Sequence, residues 1–182
     1  MALQIRPARA DDAAALAEIY APSVLQRPTS FETVAPDAAE MAARVARTTA
    51  MWPWLVADDG SEVLGYCYAG PFAERAAYRW SVTATVYVRD GRHRRGIGRA
   101  LYGELLPLLR RQGAVMAFAG ITLPNEGSVG LHRAMGFEPV GVYSRAGFKL
   151  GRWWDVAWYG LALRETGADE APAELVPWPR LT

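Results

Sequence analysis

Val86-Tyr87-Val88-Arg89-Asp90-Gly91-Arg92-His93-Arg94-Arg95-Gly96-Ile97-Gly98-Arg99 is the stretch on which the reading of this chain turns. Trp80 to Val88 is rich in β-prone residues and predicts a strand. The loop Asp90 to Arg95 follows, and Gly96-Ile97-Gly98 opens a long helix. In that order the unpaired amides and the positive end of a helix face whatever the strand delivers, which suits an anion such as a diphosphate. Five arginines between positions 89 and 99 carry the reading further than glycines alone. Two familiar phosphate loops do not fit. A P-loop needs Gly-x-x-x-x-Gly-Lys-Ser/Thr, and no lysine stands here. The dinucleotide fingerprint needs a third glycine where Leu101 stands. Taken by itself, the segment also reads as a solvated arginine loop before an ordinary helix, or as a weak nucleic-acid patch.

Working outward, Leu3 to Arg6 alternates like a short strand, and Asp11 to Val24 carries Leu16, Ile19, Tyr20 and Val24 on one helical face. Asp37 followed by Glu40 has capping-box spacing and starts a helix that runs to about Thr48. Trp54 to Asp58 and Val63 to Tyr68 flank Asp59-Gly60 and predict an antiparallel pair with a tight turn. The helix after Gly96 presents Leu101, Leu105, Leu108 and Leu109, is expected to kink at Pro107 and stops at Gly113. Val115 to Ile121 reads as a strand and Glu126 to Met135 as a helix ended by Gly136. Phe137 to Val142 and Trp154 to Leu163 read as two closing strands, with Gly141, Gly147 and Gly151 between them. The order is mixed α/β (α+β), without the regular alternation of a doubly wound sheet. One domain over 1–164 and an extended Pro/Ala-rich tail over 165–182 are expected.

The chain has 182 residues, of which 51% are hydrophobic and 21% charged, a balance that excludes a disordered scaffold. Twenty basic against 19 acidic residues leave a net charge of +1, so no global field holds nucleic acid or an anionic membrane. Lys149 is the only lysine, a bias read first as a matter of codon usage. A single cysteine, Cys67, excludes an internal disulfide and a thiolate zinc cage; no metal is expected, and the cytoplasm is the default compartment. Neither a secretory leader nor an apolar run of about 20 residues is seen.

With these residues in view, the chain resembles the GNAT N-acetyltransferase superfamily. Its acetyl-CoA motif, Gln/Arg-x-x-Gly-x-Gly/Ala, reads here His93-Arg94-Arg95-Gly96-Ile97-Gly98, with histidine in the first position. A second element, Asn, then a helical Tyr seven residues on, then Gly-Phe, reads Asn125, His132 and Gly136-Phe137. Within the superfamily the chain is similar to the phosphinothricin and methionine sulfoximine acetyltransferase group. The likeness runs from about residue 3 to 163 and includes Tyr68-Ala69-Gly70-Pro71-Phe72, Thr85-Val86-Tyr87-Val88, Leu123-Pro124-Asn125 and Ala146-Gly147-Phe148-Lys149.

The resemblance implies the GNAT fold: a mixed central sheet of about seven strands, antiparallel early, splayed at the acetyl-CoA site and flanked by about four helices. It implies acetyl-CoA as co-substrate and a small amino-acid-like amine as acceptor, with neither nucleic acid nor membrane as partner, and a homodimer. Cofactor contacts are expected from Val86, Tyr87, Val88, His93, Arg94, Arg95, Gly96, Ile97, Gly98, Arg99, Asn125, Ser128 and His132. A backbone N–H near Val86 would bond the acetyl oxygen, and His132 would act as general acid toward the CoA sulfur. Members of this group carry a glutamate where Thr83 stands, and threonine is no base near neutrality. Phe31, Phe72, Arg75, Tyr78, Arg79, Thr83, Ala84 and Thr85 would form the acceptor pocket, an arginine holding the α-carboxylate. Trp153 and Asp155 would shape that pocket or a dimer contact. Two other readings stand beside this one: a non-catalytic acyl-CoA-binding protein that has lost its base, and an acetyltransferase for protein N-termini.

Overall fold

The structure, a computed structural model, describes residues 3–181. A seven-stranded sheet runs in the order β1 (Gln4–Pro7), β2 (Trp54–Asp58), β3 (Val63–Pro71), β4 (Ser81–Val88), β5 (Met116–Leu123), β7 (Arg152–Ala162), β6 (Glu138–Lys149). Every pairing is antiparallel except β4 with β5. Helices α1 (Ala13–Leu25) and α2 (Ala38–Thr49) cover one face, burying Leu16, Ile19, Met41 and Val45 against Trp54, Val56 and Tyr66. Helix α3 (Ile97–Gln112) covers the other, with Leu101, Leu105 and Leu109 packed on Val82, Ala117 and Ala119. Helix α4 (Glu126–Ala134) stands at the end of β5.

The local signals act as expected in several places. Asp37 caps α2 by accepting the Glu40 N–H at 2.8 Å. Gly113 ends α3 in the left-handed region at φ +93°, and α3 continues through Pro107 as one helix. The closing hairpin is longer than its glycines suggested. Gly141 and Gly147 lie inside β6, where the register against β7 shifts beside each, and only Leu150-Gly151, both at positive φ, form the turn. The segment from Glu165 onward forms no strand and lies along the body of the fold. Trp178 is buried and donates its N–H to the Met51 carbonyl, and the buried Gln112 amide donates to Met51 and Val176.

Close approach of β3 and β4 places the loop after Val88. A Cβ on Gly65 would stand 2.7 Å from the Tyr87 carbonyl oxygen and 3.3 Å from Val88 Cα, so no side chain fits there without moving backbone. Gly65→Ala should lower stability by about 1–3 kcal/mol, the usual cost of overpacking. A lower urea midpoint at unchanged m-value is expected; an unchanged midpoint would mean that the two strands separate freely.

Candidate active site

Strand β4 pairs with β5 only through Ser81, Val82 and Thr83; beyond Thr83 and Phe118 the two part. β3 continues alongside β4 to Val88, and β7 alongside β5 to Leu123, so a wedge opens inside the sheet. The Arg89 N–H donates to Leu64 and the Ser81 carbonyl accepts from Phe72, so the odd-numbered residues of β4 bond β3. Alternation along the strand then turns the peptide groups of Ala84, Val86 and Val88 toward the wedge.

A cleft of about 980 Å³ occupies this opening. Thr83 through Val88 form one side and Gly120, Ile121, Thr122 and Trp158 another; Asn125, Ser128 and His132 come from α4, Asp90, Gly91 and His93 from the loop, and Ser23, Arg27 and Thr29 from the end of α1 and beyond. The volume suits a small ligand with one elongated arm.

At the mouth the chain enters the left-handed region at Gly91, Arg94 and Gly96, with φ of +75°, +61° and +77°. This winding turns the loop around the first turn of α3, which has no side-chain cap and no acidic residue, and leaves an anion-binding concavity of amides. The arginines divide into two groups. Arg89 and Arg92 pair with Glu62, and Arg89 also with Glu18, so both fasten the loop to the fold. Arg94, Arg95 and Arg99 are exposed and have no ion-pair partner among the described residues. A Cβ on Gly96 would meet nothing within 4 Å, while one on Gly98 would stand 2.8 Å from Leu131 Cδ2. Gly96 therefore leaves room outside the fold and Gly98 lets α4 approach α3.

His132 lies at the inner end of the cleft, buried. Its Nδ1 is 2.8 Å from the Ser128 carbonyl oxygen, which can only accept, so the proton is on Nδ1. Nε2 is thus bare and accepts the Tyr102 hydroxyl at 3.1 Å. Burial holds the imidazole below its ordinary pKa of 6.5, against the pull of the Ser128 carbonyl. In this arrangement the ring carries no proton on Nε2, unlike the acid expected at His132, and the O–H beside it belongs to Tyr102. Tyr102, in the buried face of α3, was missed because its neighbours Leu101 and Leu105 read as ordinary core; a hydroxyl in that apolar stripe was the available signal. Asn125 caps α4 by accepting the Ser128 N–H at 3.1 Å and also borders the cleft.

The expected acceptor set is divided. Thr83, Ala84 and Thr85 line the cleft; Phe31, Phe72, Arg75, Tyr78 and Arg79 do not. The connection between β3 and β4 forms a short 3-10 turn at Ala76–Tyr78, outside the sheet end, leaving Arg75 and Tyr78 exposed. Arg79 stacks on Trp80 at 4.1 Å and pairs with Glu174 at 3.1 Å. Phe72 packs on Phe118 and on Trp158, and so backs the cleft wall through Trp158. Phe31 lies over Gly147. Arg27 is the one arginine that lines the cleft among the described residues, and it grips Asp90 through two bonds of 2.9 and 2.7 Å. That guanidinium holds the Asp90 carboxyl below its usual range. Asp90 is also the only carboxylate in the lining, and Thr83 offers no more than a hydroxyl, 3.4 Å from the Gly70 carbonyl. Trp153 is exposed, and Asp155 accepts the Arg145 N–H within the hairpin.

Comparison with known proteins agrees with this geometry. A family model described as an acetyltransferase (GNAT) domain matches residues 5–158. The phosphinothricin N-acetyltransferase of Streptomyces viridochromogenes is 39% identical over 157 residues, 86% of each chain. The L-methionine sulfoximine/L-methionine sulfone acetyltransferase of Salmonella typhimurium is 32% identical over 93% of this chain and 99% of its own. A crystal structure of a phosphinothricin acetyltransferase from Sinorhizobium meliloti in complex with acetyl-CoA superposes with a TM-score of 0.90 at 38% identity, covering 98% of this chain and 97% of that one. On a match of this extent, over a sheet whose fourth strand parts from the fifth ahead of the glycine loop, the chain belongs to the GNAT acetyltransferase family.

Proposed function

We propose that the protein transfers the acetyl group of acetyl-CoA to the amino group of a small amino-acid-like acceptor of the phosphinothricin, methionine sulfoximine or methionine sulfone type. The observation that carries the proposal is the parting of β4 from β5, which presents free peptide groups beside a proton-bearing Tyr102–His132 pair in one cleft. Acetyl-CoA, when bound, supplies an activated acyl group on sulfur. The amides of the loop and of the first turn of α3, with Arg94, Arg95 and Arg99, would hold its diphosphate. The peptide groups of Val86 and Val88 would align the pantetheine arm, with one N–H near Val86 facing the acetyl oxygen as it gains negative charge. The acceptor nitrogen would lose one proton to solvent, through water at the Thr83 and Thr85 hydroxyls, as it bonds the acetyl carbon and the carbon–sulfur bond breaks; the sulfur would gain one from the Tyr102 hydroxyl, which gives up its bond to Nε2 and is reprotonated from solvent.

Among the described residues the only carboxylate lining the cleft is Asp90, which Arg27 grips. An α-amino group with a pKa near 8 is made neutral at pH 7 for about 1–1.5 kcal/mol, so transfer proceeds without a carboxylate base at reduced rate. A positioned base is worth about 10² to 10⁴ in rate, and Thr83→Glu should therefore raise kcat by at least about tenfold at pH 7, with a smaller gain at pH 9. A fall instead would mean that the acceptor occupies the space the carboxylate needs.

The exposed apolar side chains Val140, Val142, Tyr143 and Phe148 on β6, whose outer edge is unpaired among the described residues, with Leu150 in the turn and Trp153 on β7, support a homodimer. A single buried thiol and a coenzyme donor support a cytoplasmic setting; no helix among the described residues is long and apolar enough to cross a membrane. The deciding experiment is thiol release from acetyl-CoA with amino acids and their sulfone, sulfoximine and phosphinate analogues. Release with at least one is expected; none with any, while acetyl-CoA still binds, would leave a coenzyme-binding protein.

A further inference from the structure

Lys149 is the only lysine among 20 basic residues, and it is buried to 7% exposure. A chain that uses arginine at every other cationic position keeps an ammonium here, and the surroundings give the reason. Nζ donates to the Ser23 carbonyl at 3.1 Å and the Ser30 carbonyl at 2.5 Å. A compact tetrahedral head with rotatable donors meets two such oxygens in a small space, where a flat guanidinium would not. Ser23 belongs to the last turn of α1, which holds no basic residue, so its carbonyl end is satisfied by a cation 126 residues away. Two residues back on the same face of β6, Gly147 leaves the space that the Phe31 ring occupies. The Trp154 indole N–H in turn holds the Lys149 carbonyl at 2.8 Å.

The segment between these anchors borders the cleft. Ser23, Arg27 and Thr29 line it, and Arg27 reaches Asp90 at the start of the cofactor loop. The segment is thus a strap tied at the front by Arg27–Asp90 and at the rear by Lys149 and Phe31. The front tie is a half-exposed ion pair, weak by nature. The rear tie is buried at Lys149, with Phe31 partly exposed over Gly147.

We infer that Lys149 is a positioning residue for the acceptor: by holding the 23–31 segment it sets the wall that Arg27 and Thr29 present to the incoming amine. This rests on the acetyl-transfer reading above. Lys149→Met keeps the chain length and removes the donors; Gly147→Ala displaces Phe31 and loosens the same strap with the ammonium intact. In both variants, amide exchange should quicken locally at residues 26–31. The KM for the chosen probe, methionine sulfone, should rise roughly tenfold or more, the scale of a wall misplaced by about an ångström. The acetyl-CoA Kd should stay within about twofold of wild type, since its loop is tied by Arg89 and Arg92 to Glu62. Unchanged exchange at 26–31, or acceptor KM and acetyl-CoA Kd rising together, would overturn the inference. Were the wild type to acetylate no amine, the functional reading would fall instead, and the exchange comparison would still decide whether Lys149 holds the strap.

Discussion

Gly96→Asp should weaken acetyl-CoA binding by at least about 100-fold, whereas Gly96→Ala should weaken it only a few-fold; like charges about 4 Å apart near a protein surface repel by about 4 kcal/mol, more than such a loss requires. The order of the two variants separates the causes. Gly96 sits at φ +77°, where aspartate is tolerated better than alanine, so if backbone strain governed the loss, alanine would be the worse substitution. Steric conflict within the protein is absent, because a Cβ there meets nothing within 4 Å. What remains is a carboxylate placed where, on the proposed reading, the amides of the first turn of α3 and three arginines without an ion-pair partner among the described residues would receive a diphosphate. Calorimetry with acetyl-CoA on both folded variants would read the difference. Equal affinities for Gly96→Asp and wild type would place the diphosphate elsewhere, and the reading of the loop would fail.

The glycine loop at the strand-to-helix junction was legible because main chain builds it. Glycines at a strand-to-helix junction impose their geometry whatever surrounds them, and alternation along a strand fixes which peptide groups are free once its neighbour departs. Side-chain assignments depended on partners that sequence does not display. Arg79 reads as an acceptor ligand, but in the fold it pairs with Glu174, 95 residues on, and does not line the cleft. The spacing from Ser128 to His132 could be read as one helical turn, and the Ser128 carbonyl there fixes the proton on Nδ1; the bond from Tyr102 to the other nitrogen, 30 residues earlier, could not be read. Lys149 likewise looked like a residue of composition until the carbonyls of Ser23 and Ser30 were seen around it. The closing hairpin misled for another reason: β6 is exposed almost throughout, so it has no alternation to mark it, and its glycines read as turns although pairing with β7 keeps them in the strand.

Tyr102→Phe should lower kcat by about 100-fold, within the range for loss of a positioned acid, with acetyl-CoA affinity unchanged. Phenylalanine keeps the ring that packs on Phe137 and His132 and removes only the oxygen that binds Nε2. A residue that merely filled the core would lose almost nothing on this change. His132→Ala should cause a similar loss, and the double variant should be little worse than either single one, because the two groups form one donor. The variants differ in their response to pH. The buried imidazole has a lower pKa in the folded protein than when unfolded, so the unfolded chain binds the proton more readily, and wild-type stability should fall as pH drops below the ordinary value of 6.5. His132→Ala removes that slope and Tyr102→Phe retains it, so thermal unfolding between pH 5 and 7 reports the imidazole independently of turnover. Turnover of Tyr102→Phe equal to wild type, with the stability slope intact, would take the hydroxyl out of the reaction and leave the departing sulfur to be protonated from solvent.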